Sequence, residues 1–287
     1  MSTISVAKKD FRDAIRSRTL LALTALFAIF TAGGAYVSTL IGGLLGGAAG
    51  SGGSQSALDL IFALLTPASL LVPVIGLLAG YKAIAGERES GSLKFLLGLP
   101  HSRRDIVLGK VIGRAAVVAV AILIGFAVGI VAIYVLTDAL SPVNYLVFTL
   151  VTILLGVTYI SIAVGFSAST GSTSRAAVAV IGVFLLFQFA WGLLGVLLLY
   201  AVTGAAFPQP PIPEWYQLFT RINPNSAYQA AATALLPRGP GAGANVPGGQ
   251  GGAQPYFLES WFGFVILTIW IVVPLVLGYS RFERSDL

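Results

Sequence analysis

Side chains able to do covalent or redox chemistry are scarce in this sequence. It has no Cys, one Met and one His. That removes thiol nucleophiles, disulfide frameworks and thiolate clusters, and leaves too few soft ligands for a copper or zinc pathway. The single His101 has no second His or Cys nearby, no HExxH occurs, and the arginines beside it disfavour its protonation. No catalytic residue and no metal ligand is therefore expected. A nucleotide-binding P-loop needs Gly, four residues, then Gly-Lys and Ser or Thr. Gly109-Lys110 has Arg104 where the first Gly belongs and Val111 where the hydroxyl belongs. The chain is not expected to hydrolyse ATP by itself.

Charge is concentrated in one connection, where residues 85–114 read AGERESGSLKFLLGLPHSRRDIVLGKVIGR. Glu87, Arg88 and Glu89 cluster, and Gly91 then breaks the chain. Residues 92–97 are predicted to form one or two helical turns, with Leu93, Leu96 and Leu97 at i, i+3 and i+4 on one face. Gly98 and Pro100 end that piece. Ser102-Arg103-Arg104-Asp105 has the form of a capping box, in which a hydroxyl and a carboxylate three residues on satisfy the first amides of a helix.

The elements that carry this loop follow from composition. Of 287 residues, 56% are hydrophobic and only 10% are charged, against about 25% charged in an average soluble domain. A soluble chain of this kind would expose large apolar patches and aggregate. The predicted fold is an all-α integral membrane protein forming a single domain over residues 1–287. Six stretches reach the roughly 20 apolar residues of a crossing helix: 19–41, 60–81, 115–136, 143–166, 176–202 and 260–279. None contains Asp, Glu, Lys, Arg or His. The helix starting at the capping box is predicted to feed into the third span. The loop is thus a short, charged lever mounted on two membrane helices.

Orientation follows from the basic residues. Lys8, Lys9, Arg12, Arg16 and Arg18 precede the first span, and Lys82, Arg88, Lys94, Arg103, Arg104, Lys110 and Arg114 lie between spans two and three. Arg175 lies between spans four and five, and Arg281 and Arg284 follow the last. The opposite side holds only Arg221 and Arg238 of the 17 Lys and Arg. Both termini are expected in the cytoplasm, with residues 82–114 as the cytoplasmic loop. The net charge of +6 is then accounted for by lipid headgroups and the insertion rule, with no nucleic-acid partner. A cleavable signal peptide is disfavoured, because the first apolar run exceeds the 7–15 residues of a signal core.

Residues 1–18 place Ile4, Ala7, Phe11 and Ile15 on one face among basic residues, which predicts an amphipathic helix in the headgroup layer. Residues 42–56, rich in Gly, Ser and Ala, are expected to be a flexible outer loop, and 138–142 a tight outer turn. Residues 204–258 form the long external segment. Within it, Trp215, Tyr216 and Phe219 suit the membrane interface. Asn223-Pro224 reads as a helix cap and first turn, starting an interfacial or re-entrant helix too short to cross. Residues 238–255 read as a Gly/Pro linker.

No span carries the ionisable residue that marks proton and ion pathways, so an external motor is the simplest supply of energy. Tyr159, Gln188 and Trp191 are the notable polar or amphipathic residues within the spans, candidates for a transport path or an interface. For Gln188 the plainer reading, an interhelical hydrogen bond, is preferred. The pairs Gly76/Gly80, Gly109/Gly113 and Gly125/Gly129 allow close helix approach and are expected to pack inside the bundle.

The run from Gly86 to Lys110 resembles the loop of ABC transporter permeases of the type-2, or exporter, class. There a Gly-Glu-Arg-Glu-x-Gly-Ser/Thr-Leu run precedes a Leu-rich turn, a Pro, a basic pair and a Gly-Lys. The plan of an amphipathic helix, six spans and a long external segment before the last span resembles that class too. Within it, Ala7-Lys8-Lys9-Asp10-Phe11-Arg12-Asp13, the loop and Ile222-Asn223-Pro224 look closest to permeases of nitrous oxide reductase maturation systems. The resemblance implies a multi-pass cell-membrane protein that pairs with a second permease copy, most simply as a homodimer, and with ABC ATPase subunits that hold the ATP and Mg. It implies outward transport and no cofactor on this chain. It also implies that Ser92, Leu93, Lys94, Phe95, Leu96 and Leu97 form the coupling helix. Glu87 and Glu89 would be its polar anchors, with Arg88, Arg103 and Arg104 beside them. The residues alone leave open a local role, in which Glu87 and Glu89 pair with Arg88, Lys94 or headgroups. The cargo is not fixed. A permease maturing an external copper enzyme, moving sulfur or another small species, and a membrane anchor that transports nothing, both stay open.

Overall fold

The computed structural model describes residues 3–48, 57–93, 102–137, 141–204, 207–209, 211–237 and 255–284, and every regular element among them is helical. Lipid offers the backbone no hydrogen-bond partners, so long Leu-, Ala- and Val-rich runs satisfy themselves as helices. In chain order, α1 is Thr3–Ile15, α2 Arg18–Ala48, α3 Ala57–Gly80, α4 Ala85–Glu89, α5 Arg103–Thr137 and α6 Pro142–Ser169. Then α7, Thr173–Leu185, runs through a π-helical turn, Leu186–Ala190, into α8, Trp191–Thr203. After these come α9, Glu214–Ile222, α10, Pro224–Leu235, and α11, Phe262–Glu283.

Among the described residues, five helical stretches are long and apolar enough to cross a bilayer: Leu60–Glu89, Arg103–Val135, Pro142–Ser169, Thr173–Thr203 and Phe262–Glu283. A sixth is available if α1 and Leu20–Gly34, bent by 71° to one another, count as one broken span. The charged α1 and the apolar α2 differ in the solvent they favour, which accounts for a sharp bend between them. Helix α6 is the centre of the bundle. Its most apolar window is 72% buried, whereas that of α7–α8 is only 11% buried. Phe148, Leu155, Tyr159 and Ile160 of α6 are fully enclosed by the helices around it, α3, α5, α10 and α11.

The three glycine pairs each seat a neighbour. A Cβ on Gly80 would lie 2.6 Å from Ala163 Cβ, one on Gly109 2.7 Å from Val6 Cβ, and one on Gly125 2.3 Å from a Phe27 ring carbon. The pairs therefore let α3 meet α6, α1 meet α5, and α2 meet α5 at close range.

One expectation is corrected, and two are extended. Helix α2 continues to Ala48, so residues 42–48 are helical and not loop; a helix already nucleated gains one backbone hydrogen bond per added residue, which offsets glycine's preference for coil. The face that α1 buries is Val6, Ala7, Asp10 and Ala14, while Ile4 is 73% exposed. The groove at Gly109 and Gly113 admits small side chains, and a cation pair receives Asp10, so the inward face extends past Ala7 to Val6, Asp10 and Ala14, with Phe11 and Ile15 half-buried against the core beside them. Residues 214–222, read only for their aromatics, form helix α9. Lys94, Phe95, Leu96, Leu97 and His101, like residues 49–56, 138–140 and 238–254, lie outside the described residues.

Candidate functional site

A charged knot at one end of the bundle joins three helices, α1, α4 and α5. Gly113 on α5 faces the Ala7 carbonyl and Asp10 so closely that an added Cβ would sit 2.8 and 3.0 Å from them. That contact delivers Asp10 between two cations. Lys110 Nζ donates to Asp10 Oδ1 at 3.1 Å and to Glu87 Oε1 at 2.5 Å. Arg114 Nη2 donates to Asp10 Oδ1 at 3.2 Å, and its Nε stands 2.8 Å from Oδ2 as a charge contact without hydrogen-bond geometry. Lys110 and Asp10 are each only 4% exposed, and breaking a pair so desolvated leaves an uncompensated charge. Farther along, Thr3 Oγ1 donates to Asp105 Oδ1 at 2.6 Å. Asp105 closes the capping box on α5, its Oδ2 accepting from Ser102 N and Oγ while its own N–H donates to Ser102 Oγ.

Helix α4 is fastened on its other sides as well. The chain leaves α3 at Gly80, and the free N–H groups of Ile84 and Ala85 both donate to Ser167 Oγ of α6 at 3.0 Å. Glu89 Oε2 accepts from Thr173 N at 3.1 Å and from the Thr173 hydroxyl, which satisfies an orphan amide in the first turn of α7. After Glu89 the chain reverses at Gly91, whose φ of +74° suits glycine. Ser90 and Ser92 hydroxyls both turn back to the Glu87 carbonyl.

Both glutamates of the sequence motif are therefore engaged inside the chain, Glu87 with Lys110 and Glu89 with Thr173. Leu93 is 1% exposed and belongs to the core, so it anchors the loop and does not face outward. Arg103 Nη1 donates to the carbonyls of Phe282 and Glu283 at 2.6 and 2.8 Å, capping the end of α11. Arg88 lies along Gly171, and Arg104 is exposed. Sequence reasoning passed over Asp10, Lys110, Arg114 and Ser167. The available signal was Asp10, an acid at a helical spacing from Ala7 and Ala14, matched by Lys110 beside a glycine pair.

A second polar cluster lies at mid-bundle and holds no charge. Helices α9 and α10 form a hairpin whose turn, Asn223, is 5% exposed. Asn223 Oδ1 caps α10 by accepting from Asn225 N at 2.8 Å, and Pro224 fills the first turn. Its Nδ2 donates to the Phe187 carbonyl at 2.8 Å, inside the π-helical turn, where the regular backbone pairing is displaced. Tyr159 Oη donates to Asn225 Oδ1 at 3.0 Å, and Asn225 Nδ2 donates to Gln188 Oε1 at 2.8 Å. Thr152 and Tyr228 share a hydrogen bond of 2.8 Å below them. Trp191 stacks on Phe219 at 4.7 Å and donates to its carbonyl at 3.0 Å. So Tyr159 and Gln188 are brought together through Asn225, and Trp191 joins the same hairpin from α8. Asn223 was legible as a cap, but neither it nor Asn225 was legible as the hub of this layer.

Among the described residues no three His, Cys, Asp or Glu converge as metal ligands. The arrangement supplies mechanical linkage: a charged knot joining α1, α4 and α5, and an amide layer joining α6, the α7–α8 turn and α10.

Comparison with known proteins bears on nearly the full length. Residues 4–287 match the family model described as ABC-2 family transporter protein. A protein of Stutzerimonas stutzeri named "Probable ABC transporter permease protein NosY" is 32% identical over 290 residues, covering 98% of this chain and 97% of that protein. A protein of the same name from Pseudomonas aeruginosa is 31% identical over 287 residues, covering 99% and 98%.

Proposed function

The chain belongs to the ABC-2 family of transporter proteins and is the permease subunit of an ABC transporter, and from that premise we propose how it receives its driving force. A separate ATPase subunit, holding ATP and Mg, docks on the 92–97 segment with Arg88 and Arg104 beside it, Leu93 anchoring that segment in the core rather than meeting the partner. Glu87 and Glu89 hold the loop in place from within. The observation that carries this reading is the bracing of α4 on every side. Lys110 ties it to α5 and, through Asp10, to α1; Ser167 ties it to α6; Thr173 ties it to α7. A displacement of the loop then moves four helices together, since packed elements transmit strain rather than absorb it.

In this reading α2 is the sixth span, both termini are cytoplasmic and the cell membrane is the location. A second copy covers α7–α8, where Val178, Ile181, Leu185, Phe189, Leu193 and Leu197 are exposed and Gly182 and Gly192 face open space. Transport runs outward. The sequence resemblance, together with two relatives bearing the name NosY, favours service to an external copper enzyme of the nitrous oxide reductase type.

The test is co-reconstitution with the ATPase subunit in proteoliposomes. Phe95→Glu with Leu96→Glu should abolish permease-dependent stimulation of ATP turnover while leaving the permease folded. Unchanged stimulation would overturn the docking assignment. Stimulation that responds to the substitutions without movement of any sulfur-containing cargo would favour a non-transporting anchor.

A further inference from the structure

Below the contact between Phe187 and Trp270, whose rings meet edge-on at 4.9 Å, α7 and α11 diverge and leave a cleft floored by α6. Its volume is about 440 Å³. The walls are apolar: Ile162 and Gly165 on the floor, Val183 and Leu186 on one side, Pro274 and Leu277 on the other. Two polar side chains reach it, Ser169 and Arg281, both at the end of the bundle where α6 and α11 finish. Arg281 has no ion pair or hydrogen bond among the described residues. The nearest acid along its helix, Glu283, accepts from Tyr279 Oη at 3.2 Å.

Three properties select the occupant. From Trp270 to Arg281 the helix rises about 16 Å at 1.5 Å per residue, close to half of the roughly 30 Å hydrocarbon core, so the cleft spans one leaflet. A volume of about 440 Å³ spread over that length gives a cross-section narrower than an α-helix with its side chains, about 10–12 Å across, and suited to a single acyl chain. The mouth carries an unpaired cation at headgroup level, where anionic lipids are drawn to basic residues. We propose that this cleft is a binding site for one anionic phospholipid of the leaflet on the basic side, its acyl chain between α7 and α11 and its phosphate on Arg281. The cleft is distinct from the centre of the outward stripe of α7–α8, since Val183 lies on the opposite side of that helix from Ile181 and Leu185. It rests on the chain being embedded in a bilayer, and not on the docking or dimer assignments.

Trp270 is a built-in reporter at the closed end of the cleft. In a protein with Trp191, Trp215 and Trp261 replaced by Phe, Trp270 fluorescence is followed in phosphatidylcholine vesicles containing acyl-brominated phosphatidylglycerol or acyl-brominated phosphatidylcholine. Quenching should reach its midpoint at about fivefold lower mole fraction of the brominated phosphatidylglycerol, the effect of one basic residue near the surface. Arg281→Gln should bring the two midpoints together, Arg281→Lys should retain most of the preference, and Val183→Phe with Leu277→Phe should suppress quenching by both lipids. Equal midpoints in the parent protein would overturn the proposal in favour of unselective lipid contact. Absence of quenching by either lipid would also overturn it. If Cys placed at positions 183 and 277 of this Cys-free chain then cross-links two copies, the cleft is an interface.

Discussion

The charged knot at Lys110 and the amide layer at Asn225 do the same structural work with opposite chemistry. Each joins segments far apart in the chain: α1 to α4 and α5 in the first, α10 to α6 and the π-helical turn in the second. The knot can use full charges because each meets an opposite one, Asp10 with Lys110 and Arg114, and Glu87 with Lys110. The amide layer uses Tyr, Asn and Gln because a charge at mid-membrane depth is costly. A neutral hydrogen bond there is worth only about 0.6 kcal/mol, since the alternatives in lipid also find partners. The difference suggests that the charged end is a stiff joint and the amide layer a soft one. Motion entering at α4 would therefore be passed on at the first and absorbed by rearrangement at the second.

That contrast can be broken by substitution. Lys110→Met should cost about 3 kcal/mol, the low end for removing one partner of a buried pair, because Arg114 still faces Asp10 while Glu87 loses its cation. Thermal unfolding in mild detergent reads the loss, and Lys110→Met combined with Glu87→Gln should recover part of it. A melting temperature unchanged in Lys110→Met would show that water already screens the knot. Next in size is Asn223→Ala, which removes the cap of α10 and the partner of the Phe187 carbonyl, at about 2 kcal/mol. The same melting experiment checks it, with cysteine accessibility at introduced positions in α10 as the local readout. Gln188→Leu should cost no more than about 0.6 kcal/mol; a loss as large as that of Lys110→Met would show the amide layer to be as rigid as the knot. Smallest is Glu89→Gln, which keeps one acceptor for the exposed Thr173 cap. It should leave melting unchanged, and faster hydrogen exchange at the start of α7 would be its only trace.

Much of the site's local chemistry was legible because it depends on neighbours in sequence. Ser102 and Asp105 announce a capping box, Asn223-Pro224 a cap and first turn, and Gly91 a reversal, since each needs only the backbone within three or four residues. The rest was not legible because it depends on contacts across the chain. Glu87 and Glu89 read equally well as an outward-facing pair, and nothing local says that Lys110 and Thr173 receive them. Helix α1 is a further case: periodicity placed Ile4, Ala7, Phe11 and Ile15 on one face, but nothing local says that Asp10 enters the groove at Gly109 and Gly113.

The sequence by itself determined that the chain lives in a membrane, which stretches are apolar enough to span it and where the basic residues gather, because burial of apolar residues and the cost of charge in lipid act on composition directly. Only the tertiary structure decided which charges neutralise one another, which amides meet at mid-bundle and where α7 and α11 part to leave a cleft. Those outcomes depend on helix crossing points fixed by side-chain volume at a few close contacts, and a difference of one Cβ at Gly80, Gly109 or Gly125 is enough to move them.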